Sequence, residues 1–215
     1  WTADGKTFDG YLVWDDASKA PRPGLVMVPN WYGVNDKAIA KAKTIAGSDY
    51  VVLLADVYGR GVRPANSDEA GKAAGAVYAN PDGIRLRVAA ALATLRGAGK
   101  QVPVDATRIG AIGFCFGGAM ALELARSGAD IAGVASFHGN LASKLPAARG
   151  AVRAKVLVMN GADDSYVPQE QIAGFQQEMR DAGADWQFVN FGGAVHCFAE
   201  PDETTPGGCL FHEPS

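Results

Sequence analysis

The 215-residue sequence is short of cysteine, of histidine and of charge imbalance. Its three cysteines, Cys115, Cys197 and Cys209, form an odd and sparse set rather than a disulfide framework. No Cys-x-x-Cys or paired Cys/His spacing marks a zinc site, so no metal and no cofactor are expected. At least one thiol stays free within a monomer, which fits a reducing, cytoplasmic setting. No run approaches the roughly 18 apolar residues of a membrane span, so no membrane partner is expected. With 20 Lys+Arg against 23 Asp+Glu the net charge is only -3, which argues against nucleic acid as a partner. Repeats, low-complexity tracts and linkers are also missing, and one domain over residues 1–215 is expected. The chain begins at Trp1 rather than Met, consistent with a removed leader or tag, and nothing at that end resembles a signal peptide.

What is present is a regular alternation. Apolar residues make up 48% of the chain, enough at this length for a sizeable core. Apolar runs at Phe8–Trp14, Gly24–Pro29, Tyr50–Ala55, Arg108–Ile112, Ile131–Phe137, Lys155–Asn160 and Asp185–Phe191 read as strands. Helical stretches fall between them at Lys37–Gly47, Asp68–Tyr78, Asp82–Arg96, Ala119–Ala125 and Gln169–Ala182, the first capped by Asn35 or Asp36. That order predicts an α/β fold with a mostly parallel central sheet flanked by helices on both faces. After His196 no amphipathic helix follows, so the closing element is expected to be missing or irregular.

The chain turns on Ile112-Gly-Phe-Cys115-Phe-Gly-Gly118. Gly-x-Cys-x-Gly between a strand and a helix has the form of a nucleophile elbow with cysteine in place of serine. The helix N-terminus favours a thiolate and any anion formed by its attack. A plainer reading is a buried small hydrophobe beside a common glycine pattern. Ligands of open α/β sheets bind outside the carboxyl ends of the strands, where the chain places Asn30, Cys115, Asp163, Asp164 and His196. A nucleophilic thiol needs a base, and His196 is favoured over His138 and His212 because nucleophile, acid, histidine is the hydrolase order. The frame Gly161-x-x-Asp164-x-x-Val-Pro168 selects Asp164 as the acid, with Asp163 as the fallback.

These segments, with Trp31-Tyr-Gly-Val-Asn35 and His196-x-Phe198, resemble the dienelactone hydrolase family of the α/β-hydrolase superfamily over Phe8 to Phe198. The resemblance implies Cys115 as nucleophile, His196 as base, Asp164 as orienting acid, and an oxyanion hole from the Trp31 and Phe116 backbone N–H groups. Two departures stand out. The family commonly has Glu where this chain has Asn30, and an Arg shortly after His-x-Phe where this chain has Glu200, a residue that would repel an anion. Arg60, Arg63 and Arg85 are the remaining candidate cations, each expected in a surface role. Asn30, Tyr32, Phe114, Tyr166 and Phe198 are the candidate pocket residues, in largely apolar surroundings.

The expected substrate is a small neutral or weakly charged ester or lactone, and the expected state is monomer or homodimer. Activated phosphotriesters are the alternative substrate. A non-catalytic thiol sensor, with Cys115 and Cys197 able to form a disulfide, is the alternative of another class.

Overall fold

The computed structural model describes residues 1–201, 203–205 and 208–213. Val51–Leu54, four apolar residues in a row, is buried at every position, as a strand covered on both faces must be. It is the third strand of a seven-stranded sheet. In chain order the strands are β1 (Tyr11–Val13), β2 (Arg22–Val28), β3 (Val51–Leu54), β4 (Val104–Phe114), β5 (Gly133–Phe137), β6 (Lys155–Gly161) and β7 (Trp186–Phe191). Across the sheet they run β1-β3-β2-β4-β5-β6-β7. Only β1 is antiparallel to its neighbour, and the other pairings are parallel. The early strand is shorter than its alternation predicts. Phe8 leaves the ladder to bury its ring beneath the Arg87 guanidinium and beside Trp1.

Five helices flank the sheet unequally. On α1 (Asp36–Ala46), Ala38, Ala42 and Ala46 recur every fourth residue and bury one face against Met27, Val52 and Leu54. Asn35, rather than Asp36, caps it, accepting a bond from the Ala38 N–H at 2.9 Å. The other four, α2 (Ser67–Tyr78), α3 (Pro81–Gly97), α4 (Phe116–Arg126) and α5 (Gln169–Ala182), share the larger core on the opposite face. Leu95, Met120, Leu122, Leu124, Phe175 and Met179 are almost wholly buried there, each contributing about 1.5–3 kcal/mol by leaving water. Helix α4 is buried all round, so its two charges must be paired. Glu123 meets Arg126 and Arg85, and Arg126 also meets Glu178. With α1 the only helix on that face among the described residues, the sheet keeps Leu25, Ile112, Ala135 and Leu157 half-buried along an open trough.

The strand order fixes where a site forms. From β2 the chain moves outward to β3, then crosses back to β4 on the other side of β2. The carboxyl ends of β2 and β4 therefore flank the point where the winding reverses, which opens a crevice. Asn30 and Trp31 follow β2, and Cys115 follows β4.

The end of the described chain corrects the cysteine reading. Cys197 is bonded to Cys209, and Cys115 is the one free thiol. The count of three hid a pair, and Cys115 is the thiol that stays free. No Cys115–Cys197 bridge is available while Cys197 is held by Cys209. A small hairpin, Thr204–Thr205 against Cys209–Leu210, follows His196, and the Leu210 N–H donates to the His196 carbonyl at 2.9 Å. Among the described residues no helix is long and apolar enough to cross a membrane.

Candidate active site

Between the last residue of β4 and the first of α4 lies a single residue, Cys115. To turn the chain in so little space it takes φ 53° and ψ -118°, a conformation that costs a non-glycine residue on the order of 1–3 kcal/mol. Its neighbours must be small. A Cβ on Gly113 would lie 2.0 Å from the Gly117 carbonyl oxygen, and one on Gly117 would lie 2.0 Å from that of Val28. The Cys115 N–H donates to the Phe137 carbonyl at 2.9 Å, tying the strained turn to β5. No side chain caps α4, which leaves its first N–H groups to whatever sits beside Cys115. Among the described residues neither the Phe116 nor the Trp31 N–H has an acceptor.

Two further strand ends converge on the thiol. After β6, Asp164 sits buried with Oδ1 accepting the Tyr166 N–H at 2.8 Å. Its Oδ2 lies 2.8 Å from Nδ1 of His196, which follows β7. The other ring nitrogen, Nε2, lies 3.1 Å from Cys115 Sγ. Asp163 is exposed and spends its N–H on the Ala194 carbonyl, and of the two carboxylates it is Asp164 that meets His196. Burial opposes a charge on His196, but its bonds to Asp164 and Cys115 outweigh that and raise its pKa to about 10. The ring is therefore an imidazolium at neutral pH, held beside the sulfur.

A cavity of about 630 Å³ opens over Cys115. Trp31, Tyr32, Tyr78 and Tyr166 give it aromatic walls, and Asn30 and Glu203 are among its polar groups. None of its described lining residues is Lys or Arg. A second cavity of about 670 Å³ adjoins it, sharing Asn30, Tyr32 and Glu203. Phe114 faces that second cavity rather than the one over the thiol, with the Lys41 ammonium 4.1 Å from its ring centre. Phe198 lines neither. It is buried between His138 and Phe191, because the chain turns inward after His196.

The two departures at positions 30 and 200 meet in space. Asn30 Nδ2 points at the Glu200 carboxylate, 3.4 Å from Oε1, while Asn30 Oδ1 accepts the Tyr32 N–H. Glu200 is buried and paired with Lys41 at 2.6 Å. Its charge is answered locally, so it does not stand as the free repelling anion that its sequence position suggests. Arg60 pairs with Asp9, Arg63 with Asp56 and Arg85 with Glu123, and none of the three lines the cavity.

Three residues enter the site that the sequence reading did not place there, His138 having been set aside in favour of His196. Tyr58, beyond β3, donates its buried hydroxyl to the Trp31 carbonyl at 2.7 Å. Lys41 arrives from α1. His138, wholly buried, packs edge-on against His196 with ring centres 5.0 Å apart. Burial, with help from His196 and Lys41, holds its pKa well below the usual histidine value, so it is neutral. The signal for Tyr58 and His138 was their place just beyond the carboxyl ends of β3 and β5. Ligand atoms of Cys115, His138 and His196 all lie within 4.8 Å of one another.

Against known proteins, the model of the dienelactone hydrolase family matches residues 8–208. A solved structure named m3DLH superposes with a TM-score of 0.88 at 39% identity, covering 98% of this chain and 88% of that one. A dienelactone hydrolase-like promiscuous phosphotriesterase from metagenomic libraries superposes with a TM-score of 0.85 at 32% identity, covering 97% and 92%. A Salmonella typhimurium protein that carries the name carboxymethylenebutenolidase is 25% identical over 205 residues, 91% of this chain and 75% of its own. With a mostly parallel sheet, flanking helices and a match over nearly its whole length, the chain belongs to the dienelactone hydrolase family and is a hydrolase of the α/β-hydrolase fold.

Proposed function

We propose that the chain cleaves small neutral or weakly charged esters and lactones with Cys115, His196 and Asp164 as a catalytic triad. The observation that carries this reading is the relay Sγ to Nε2 at 3.1 Å and Nδ1 to Oδ2 at 2.8 Å, built on a strained turn. Cys115 Sγ attacks the carbonyl carbon as thiolate while His196 holds the proton. The carbonyl oxygen becomes an oxyanion between the Trp31 and Phe116 N–H groups. As the intermediate collapses, His196 gives its proton to the leaving oxygen, and a thioester remains on Cys115. His196 then takes a proton from water, which attacks the thioester and frees the acid. Asp164 keeps Nδ1 protonated throughout and steadies the imidazolium. Asn30 cannot take the thiol proton at neutral pH, so that task falls to His196.

The absence of Lys and Arg from the described cavity lining, and the pairing of Lys41 with Glu200, favour an uncharged substrate over an anionic lactone. Stopped-flow hydrolysis of a neutral aryl ester tests the reading. The expected result is a burst of one phenol per thiol, a thioester mass shift on Cys115, and loss of turnover in Cys115→Ala. Undiminished turnover in that variant defeats it.

A second substrate is supported by one observation, the phosphotriesterase name of the 32%-identical relative. The same hole would hold a phosphoryl oxygen, and Cys115 would displace an aryl oxide from phosphorus. A burst with an aryl phosphotriester and a phosphoryl mass shift on Cys115 support this chemistry. A rate that persists in Cys115→Ala counts against it.

A further inference from the structure

His138 is expensive as the structure places it. Its side chain is fully buried, and among the described residues, beyond a contact with its own backbone, neither ring nitrogen has a hydrogen-bond partner. Buried polar atoms are nearly always paired, and each orphan costs folding stability. Packing alone does not explain the choice of residue. The ring stacks edge-on against His196 and Phe198 and lies near Phe114, contacts that a phenylalanine would make without orphan nitrogens.

We propose that Cys115, His138 and His196 form a site for a thiophilic divalent cation, with Zn²⁺ as the fitting ion, and that its occupation blocks the thiol. Their ligand atoms already fall within 4.8 Å of one another, one sulfur and two imidazole nitrogens, the donor set that zinc prefers. Zn–S and Zn–N bonds of about 2.3 and 2.0 Å set tetrahedral edges near 3.5 Å, so the cluster closes by roughly 1 Å. Cys115 and His196 are 3.1 Å apart already, which leaves most of that movement to His138. Asp164 on Nδ1 of His196 is the carboxylate behind a ligating histidine that fixes the ring with Nε2 facing the ion. The cavity over Cys115 leaves room for water as a fourth ligand.

Binding balances simply. Zn²⁺ takes a thiolate and two neutral imidazoles, and the one proton that Cys115 and His196 share is released to solvent. The bound ion carries a net single positive charge, faced by Asp164. The sulfur pair is then tied up and cannot attack a carbonyl, and a chelator restores it. Sequence spacing conceals such a site because 115, 138 and 196 belong to three separate strand ends.

The test uses the disulfide-intact protein without reductant, titrated with Co²⁺ and then Zn²⁺ in the absence of substrate. These readouts need no turnover, so they stand or fall separately from the hydrolytic reading. The expected result is one ion per chain, a thiolate-to-cobalt charge-transfer band, release of one proton, and protection of Cys115 from iodoacetamide. His138→Phe and His138→Gln are each expected to weaken binding tenfold or more. Equal affinity in both variants overturns the proposal, since the thiol and His196 alone would then be capturing the ion. If either variant fails to fold, X-ray absorption of the zinc-loaded wild type decides. One sulfur with two imidazoles supports the site, and any other ligand count overturns it.

Discussion

Tyr58 holds the Trp31 peptide in place, its hydroxyl 2.7 Å from the Trp31 carbonyl oxygen. The residue stands after β3 and its ring packs at 5.2 Å on Phe116, so one side chain touches both segments whose amides form the proposed oxyanion hole. Burial pushes its hydroxyl pKa up, which keeps it a neutral donor at any working pH. Tyr58→Phe removes the donor and frees the loop to turn its N–H. The expected outcome is a kcat for an aryl ester lowered about fivefold, the worth of a bond of about 1 kcal/mol, with KM little changed. Steady-state kinetics check it, and an unchanged kcat would release Tyr58 from this role.

His138 and His196 touch, yet they titrate in opposite senses. The folded pKa of His196 is raised to about 10, so its contribution to stability is whole below its unfolded value, near 6.5, and is lost as pH climbs toward 10. His138 is buried neutral with a depressed pKa, so the unfolded chain binds its proton first and stability falls as pH drops below about 6.5. Each group alone gives a slope of at most about 1.4 kcal/mol per pH unit. Calorimetry across pH is expected to show stability declining on both sides of the near-neutral region. In His138→Phe the acid decline becomes shallower while the alkaline one persists. An acid limb of unchanged slope in that variant would mean that His138 titrates normally.

The sequence carried the fold because its apolar runs alternate with helical ones without interruption, and α5 begins and ends where periodicity put it. Cys115, Asp164 and His196, which the structure brings together, each lie just beyond a strand end with its own local signature. What stayed hidden depends on groups from distant elements meeting. Lys41 reads as a solvated helix charge until the fold sets it on Glu200. Cys197 reads as a candidate disulfide partner of Cys115 until the hairpin brings Cys209 to it. Phe114 and Phe198 read as pocket residues because they adjoin site residues. In a strand or a tight turn, however, adjacent side chains point to different sides, and these two point away from the cavity.

The Lys41–Glu200 pair governs which charge the substrate region presents. Lys41→Met leaves a buried carboxylate without its cation and is expected to cost about 3 kcal/mol. Adding Glu200→Gln to it removes the orphan charge and is expected to restore most of that loss. Glu200→Gln alone leaves Lys41 facing the adjoining cavity beside Asn30 with its charge uncompensated. For an anionic lactone kcat/KM is then expected to rise several-fold, with the neutral ester little affected. Denaturant melts and paired substrate assays read the two effects. An anionic substrate indifferent to Glu200→Gln would place its carboxylate elsewhere.

The Cys197–Cys209 bond joins the residue after His196 to a hairpin that lines the cavity, at a sequence separation of 12. Closing a loop of that length restricts the unfolded chain by about 3 kcal/mol in the chain-entropy account. The side-chain contacts of the proposed triad do not run through it, although the hairpin also holds the His196 backbone, the Leu210 N–H donating to its carbonyl. Cys115 is fixed by the β4–α4 turn, Asp164 by the end of β6, and His196 by its bonds to both. The cavity does depend on the bond, since Glu203, Gly208 and Cys209 line it and all lie on the tethered segment. Cys209→Ser is therefore expected to lower unfolding free energy by about 2–3 kcal/mol. In the same variant KM is expected to rise several-fold while kcat changes little, and iodoacetamide is expected to reach Cys115 faster. A fall in kcat at constant KM would show instead that the bond positions His196, because only a displaced base slows chemistry without loosening substrate.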